Sequence, residues 1–285
     1  MEQGSGPAAA NGPSAAIAVA NPVRNNHGPA STVYGSIRGP SSVSKGIGGG
    51  RMLRLTPTRV SAQATMESTP APADPTDAAG IGRLELIEYP HPALLRRASP
   101  LVRIDDELCN AIDQMFEIMY DAVGVGLAAN QVGLPYRLFI VNLEANPNSG
   151  EELVFINPTL SRPRGTALQE EGCLSLPGLR MDVRRPEKVV LDAWTLEGEQ
   201  VRLDLDGFLA RVVQHEFDHL EGRLFTDRLP DAAALEARRV LDTMLEVYVG
   251  KQSRGELPPD AHYHAELARL EAARCAPAGP ARGSA

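Results

Sequence analysis

Apolar residues recur at helical spacing between 105 and 124. Leu108, Ile112, Met115, Phe116 and Met119 share one face, with Asp105 or Asp106 as a cap and Gly124 as a stop. This predicts a first helix, with its methionines and Cys109 as core filling. Four runs rich in apolar and β-branched residues follow, at 137–143, 152–157, 188–194 and 200–205, and predict strands. The last two flank Thr195–Glu199, where Gly198 suits a hairpin loop, and the alternation in VRLDL leaves one face of its strand wet. A second helix is expected from about Gly207 to Leu220, stopped by Gly222, a third over roughly 231–249, and a short one at 261–273. Upstream, LELIEYPHPALLRRASPLV holds too many prolines for a helix and reads as an extended strap. With no strand–helix–strand alternation, the expected class is α+β: mostly antiparallel sheets packed around the central helix at 207–220. One helix precedes the sheet region and one is C-terminal to it.

Composition divides the chain. Residues 1–80 are rich in Gly, Ala, Ser and Pro and too poor in large apolar residues to offset their ordering entropy, which predicts a disordered extension. Residues 81–250 form the expected ordered domain, and 251–285 a low-complexity tail carrying the short helix. Charge divides it too. Between Gln3 and Met66 there is no acidic residue, and residues 1–66 carry +5 (six basic residues against Glu2), leaving −13 on the remainder of a net −8. An acidic body argues against nucleic-acid binding. No run of about 18 apolar residues suggests a membrane span, and three scattered cysteines are too few for a disulfide framework. The basic, Ser-bearing start reads as a plain tail, a mis-assigned start before Met52 or Met66, or an organelle transit peptide.

The chemistry begins in VVQHEFDHLEG. Residues four apart on a helix face the same way, so His215 and His219 can chelate one cation while Glu216 stands beside the first ligand. The third ligand decides the class. LEGRLF after His219 excludes a third histidine in an extended motif. Two donors remain: Glu236 on the third helix, as in one class of metalloendopeptidase, or Cys173 in EEGCLSLPG, read as a loop between strands. A closed structural metal module is a third reading, but three protein ligands leave one position open. Gly124-Val-Gly126-Leu-Ala-Ala129 formally fits a dinucleotide fingerprint, yet it follows a helix where that fingerprint needs a strand. Its glycines suit close approach of backbone to a ligand, and Gln131 can point a neutral amide into the site.

GVGLAANQ, EGCLS and QHEFDHLEG, in this order and at these separations, resemble the three signature motifs of peptide deformylases. The similarity runs from about Tyr89 to Asp227 and says nothing of the chain before about Ile81. The resemblance implies Cys173, His215 and His219 as metal ligands and Glu216 as acid/base. It implies the Gln131 amide and the Leu174 N–H as oxyanion donors. The substrate peptide would pair with main chain at Gly124–Gly126 and Gly172, with its methionine in a pocket of Val125, Phe208 and Val212. Arg180 would lie near the peptide backbone and Glu171 at the pocket's mouth. Asn130 departs from the Pro or Thr more usual there. The resemblance further implies Fe²⁺, one per chain, with Zn²⁺, Ni²⁺ or Co²⁺ as substitutes. It implies hydrolysis of the formyl group from N-formyl-Met nascent peptides by a monomer that touches the ribosome transiently. The place of action would be the bacterial cytoplasm, or a plastid or mitochondrion if residues 1–66 are a transit peptide.

Overall fold

A computed structural model describes residues 80–275; the expectations for the first 79 residues and for 276–285 lie outside the described residues. The strap from Ile81 passes through a 3-10 turn at Pro92–Leu95 and leads into helix α1 (Asp106–Asp121). Asp105 caps α1 by accepting from the Leu108 N–H at 2.9 Å. Strands β1 (Gly126–Ala128), β2 (Leu138–Val141), β3 (Leu153–Arg164), β4 (Ala167–Cys173), β5 (Leu176–Arg185), β6 (Lys188–Trp194) and β7 (Gln200–Asp206) follow. Helices α2 (Gly207–Leu220), α3 (Asp231–Ser253) and α4 (Asp260–Arg274) complete the described residues.

Five strands form one antiparallel sheet in the order β1-β2-β3-β6-β7, while β4 and β5 form a separate hairpin. Alternation sends the side chains of β2 to two cores. Leu138 and Ile140 pack with Leu127, Ile156 and the α1 face of Leu108, Ile112, Met115 and Met119. Phe139 and Val141 pack on the other side with Leu191, Val212, Val213 and Leu220, seating α2 against the sheet. A third cluster joins Leu176, Leu179 and Val183 of the hairpin to Phe225 and to Ala237, Val240, Leu241 and Met244 of α3.

Three elements depart from expectation. β3 runs on to Arg164 through Pro158 and Pro163, because Asn157 (φ +50°) and Arg162 (φ +52°) take left-handed conformations where its register to β6 shifts. The left-handed turn at Asn157 also lets its side chain bond both the N–H and the carbonyl of Leu101 in the strap, at 2.9 and 2.8 Å. The glycine loop holds the short strand β1. Cys173 does not lie in an open loop: it ends β4, and only Leu174 and Ser175 separate it from β5.

Candidate metal centre and active site

α2 supplies the first part of the site. It starts at Gly207 (φ +61°) and is stopped by Gly222 (φ +68°), where a Cβ would come within 2.8 Å of the Arg96 carbonyl carbon. Glycine is therefore required there for space as well as for backbone angle. The four-residue spacing turns His215 and His219 to one side, ring centroids 5.0 Å apart. β4 brings Cys173 to them, its Sγ 3.2 Å from His219 Nε2. One donor atom from each of Cys173, His215 and His219 lies within 4.8 Å of the others, and all three residues are buried.

The loop Gly124–Gln131 closes the site from a third side. At Gly126 a Cβ would fall 2.5 Å from Glu216 Oε1 and 2.9 Å from Val212 Cγ1, so the backbone lies where only glycine leaves room for that carboxylate. Gln131, on a 3-10 turn (Ala129–Val132), accepts from the Ala128 N–H through Oε1 at 2.8 Å. That bond aims its Nε2, which donates to Ser175 Oγ at 3.2 Å and stands 3.5 Å from Cys173 Sγ.

Behind the donors lies a web of buried charge. Glu171 accepts two bonds from Arg185, at 2.6 and 2.8 Å, and one from Arg211 at 2.6 Å. Its Oε2 also receives His215 Nδ1 at 2.9 Å, which leaves Nε2 of that ring to face the cluster. Arg185, almost wholly buried, reaches Asp218 at 2.6 Å, and Arg228 holds Asp218 from outside. Burial works to raise the Glu171 carboxyl, but Arg185 and His215 overcome it and hold Glu171 well below the usual carboxylate range. Burial also works to lower His215, yet its bonds to Cys173 and Glu171 push it up to about 10. Burial lowers His219 well below the ordinary histidine value, with the His215 charge adding to the effect. Glu216 is raised to about 7 by burial, against the charges of His215 and Arg185.

These residues fit a divalent transition metal. A thiol and two imidazoles within 4.8 Å of one another form a mixed N/S set of the kind that binds such ions. His215 has its far nitrogen fixed by a carboxylate, and Glu216 Oε2 is buried beside the set with no partner among the described residues. Metal binding at such a set needs the thiolate and neutral imidazoles, so loading is expected to release protons.

Three separated segments thus converge on one buried site. A sequence model of the polypeptide deformylase family matches residues 83–234, more than half of the chain. The chain belongs to the polypeptide deformylase family. It is 42% identical over 189 residues to the peptide deformylase of Rhodopirellula baltica, covering 66% of this chain and 94% of that protein. It is 40% identical to the chloroplastic peptide deformylase 1B of Solanum lycopersicum, covering 65% of this chain and 64% of that protein. Among solved structures, peptide deformylase 1B of Arabidopsis thaliana in complex with an inhibitor aligns with a TM-score of 0.57 at 38% identity. That alignment covers 61% of this chain and 95% of that one. The Legionella pneumophila peptide deformylase aligns with a TM-score of 0.53 at 37% identity, over 58% and 96%.

Set in the deformylase frame, most of the residues expected from the sequence converge, but Glu171 needs correction. It is not at the pocket's mouth: its side chain is fully buried, drawn inward by two arginines and the His215 ring. Val125, Val212 and half-buried Phe208 share one apolar cluster. Leu174 sits half-buried at the β4–β5 turn, its Cδ1 2.7 Å from where a Cβ at Gly124 would fall. Arg180 pairs in register with Gly172 and is exposed, 3.5 Å from Glu170. Glu236 lies exposed on α3 and is outside the group that gathers Cys173, His215 and His219. Arg185, Arg211, Asp218 and Ser175 were not anticipated. Asp218 lies inside the HEFDH motif and Ser175 inside EGCLS, so both carried a local signal, whereas Arg185 and Arg211 carried none.

Proposed function

We propose that this chain hydrolyses the formyl group from the N-terminal methionine of newly made polypeptides, releasing formate. The observation that carries the reading is the meeting of Cys173, His215 and His219 with Glu216 and Gln131 in a family-matched body. Cys173, His215 and His219 would hold the metal, which we take to be Fe²⁺, with Zn²⁺, Ni²⁺ or Co²⁺ able to occupy the same donors. The chemistry such an ion would supply when bound is a lowered pKa for water, from ~15.7 toward ~7, and polarisation of the formyl carbonyl.

The chain's own residues do the rest. Glu216 Oε2, buried and without a partner among the described residues, would take the proton of the attacking water and pass it to the amine nitrogen as the C–N bond breaks. The Gln131 Nε2 donor and the Leu174 N–H meet the oxyanion that develops at the carbonyl. Gly124–Gly126 and Gly172 offer main chain to an extended peptide, with Arg180 beside it, and Val125, Phe208 and Val212 receive the methionine side chain. Glu171 acts through His215, not on substrate. The layout we favour places α2 at the centre of the sheets and residues 81–250 as the catalytic domain, with 1–80 an extension and 251–285 a tail. We take the protein to act as a monomer on nascent chains in a bacterial cytoplasm, touching the ribosome transiently. Its relatives are both bacterial and chloroplastic, and a plastid remains the second site of action.

The test uses the full chain, purified without oxygen, on formyl-Met-Ala-Ser beside an N-acetylated control and an internally cleavable peptide. Formate from the formyl peptide alone is expected, with iron as the bound metal. Internal cleavage without formate would overturn the reading in favour of an endopeptidase.

A further inference from the structure

We propose that α4 is a positioning device for the active-site amide: it grips the strap, and the strap in turn holds Gln131 and Ser175. The inference rests on the deformylase reading and concerns a helix that lies beyond residue 234, where the family match ends.

α4 meets the strap along most of its length. The Tyr263 ring lies 4.2 Å from that of His91. Glu271 accepts from Arg96 with both oxygens at 2.7 Å and from Ser99 Oγ at 2.7 Å. The Arg274 carbonyl accepts from the Val102 N–H at 3.0 Å, and its buried guanidinium pairs with Asp105 and Glu107 and donates to the Tyr136 hydroxyl at 3.3 Å. Leu270 is buried in the same cluster as Leu127, Ala129, Val132 and Leu134 of the glycine loop.

The strap passes this grip on through two backbone bonds. The Ile87 N–H donates to the Gln131 carbonyl at 2.9 Å, and the Tyr89 N–H to the Ser175 carbonyl at 3.0 Å. Gln131 and Ser175 are the residues whose side chains meet next to Cys173. A cleft of about 220 Å³ is lined by Ile87 of the strap, by Val132, and by Tyr263 and Leu267 of α4. Leu84 and Leu86 of the strap pack in the same cluster as Leu127, Ala129 and Val132, so packing, the two backbone bonds and the α4 contacts together locate this part of the strap. A preorganised oxyanion donor is worth about 10²–10³ in rate, so a donor left loosely held forfeits part of that factor.

The test is a Tyr263→Ala/Glu271→Ala variant in the full-length metal-loaded chain, alone and combined with Gln131→Ala. Alone, kcat should fall about tenfold with KM within about twofold and metal content unchanged. The Ile87 and Tyr89 amides should exchange with deuterium at least about tenfold faster. In the Gln131→Ala background the same pair should change kcat by less than about twofold, because the group it positions is gone. Glu271→Gln, which keeps an acceptor for Ser99, should recover part of the loss. A lower melting temperature with unchanged kcat and unchanged exchange would overturn the proposal, as would a kcat loss that persists undiminished without the Gln131 amide. If the wild-type chain releases no formate, the deformylase reading fails, and the exchange of Ile87 and Tyr89 still decides the brace.

Discussion

α2 and α3 lie close in sequence and bury very different things. α2 hides ten of its fourteen residues, and six of these are polar: Arg211, Gln214, His215, Glu216, Asp218 and His219. α3 is longer, buries only Ala237, and leaves Leu235, Leu245, Val247 and Val249 exposed. A buried charge costs several kcal/mol unless it is paired. A helix that buries six polar side chains is therefore being held in place by its partners, whereas α3 is held by one face of modest apolar residues against β5. Substitutions should separate the two helices by orders of magnitude.

The largest effect is expected at Glu216. Glu216→Gln preserves shape but cannot carry a proton, so formate release should fall by about 10²–10⁴ while metal content stays at one per chain. Retained activity would remove Glu216 from its role. Next comes Glu171→Gln, which weakens the pairing of Arg185 and Arg211 and the anchoring of His215 together. Metal affinity should weaken by about 10–100-fold, the usual cost of losing a partner behind a ligand. The melting temperature should fall too, since two buried guanidiniums lose a charged partner. Competition with a chromogenic chelator measures the first and a thermal melt the second. Unchanged affinity would make the Glu171–His215 bond incidental.

What the sequence made legible follows the same division. Helix α2 was readable because its apolar period and its HExxH motif coincide on one stretch. His215, His219 and Gln131 stand in local motifs, whereas Cys173 joined them through the family resemblance; the fold brings Cys173, His215 and His219 together. The hairpin β4–β5 was not, because it inverts the usual rule: Glu171 and Arg185 point inward and Leu168 points out, so a search for alternating apolar residues finds no strand. Its two-residue turn, Leu174–Ser175, also lacks the Gly or Asn that marks tight hairpins. Arg185, next to Arg184, and Arg211 carry no local signal, because arginine ordinarily reads as surface. Only the fold brings them 2.6 Å from a carboxylate that precedes the cysteine by two residues. The interior side of α4 was hidden similarly, since one of its three buried residues is Arg274.

Smaller effects sharpen the comparison at its edges. His91, under α4, is lowered from 6.5 to about 4, chiefly by burial, with Asp260 working the other way and His264 adding slightly. The folded state thus prefers neutral His91: its contribution is present above pH 6.5 and is lost as pH falls from there through about 4. Discounted for partial exposure, the loss should be about 1–2 kcal/mol. His91→Asn keeps an acceptor for the Ala93 N–H and should flatten stability between pH 6.5 and 4; an unaltered profile would assign the slope elsewhere. The smallest effect belongs to α3. Leu245 is 41% exposed, on a helix whose inner face is filled by Ala237, Val240, Leu241 and Met244. Leu245→Ser gives up little burial and no hydrogen bond, so stability should change by no more than about 0.5 kcal/mol and formate release not at all. A loss of 2 kcal/mol or more would mean that Leu245 is covered in solution, and concentration-dependent melting of the wild-type chain would then identify the cover as a second copy.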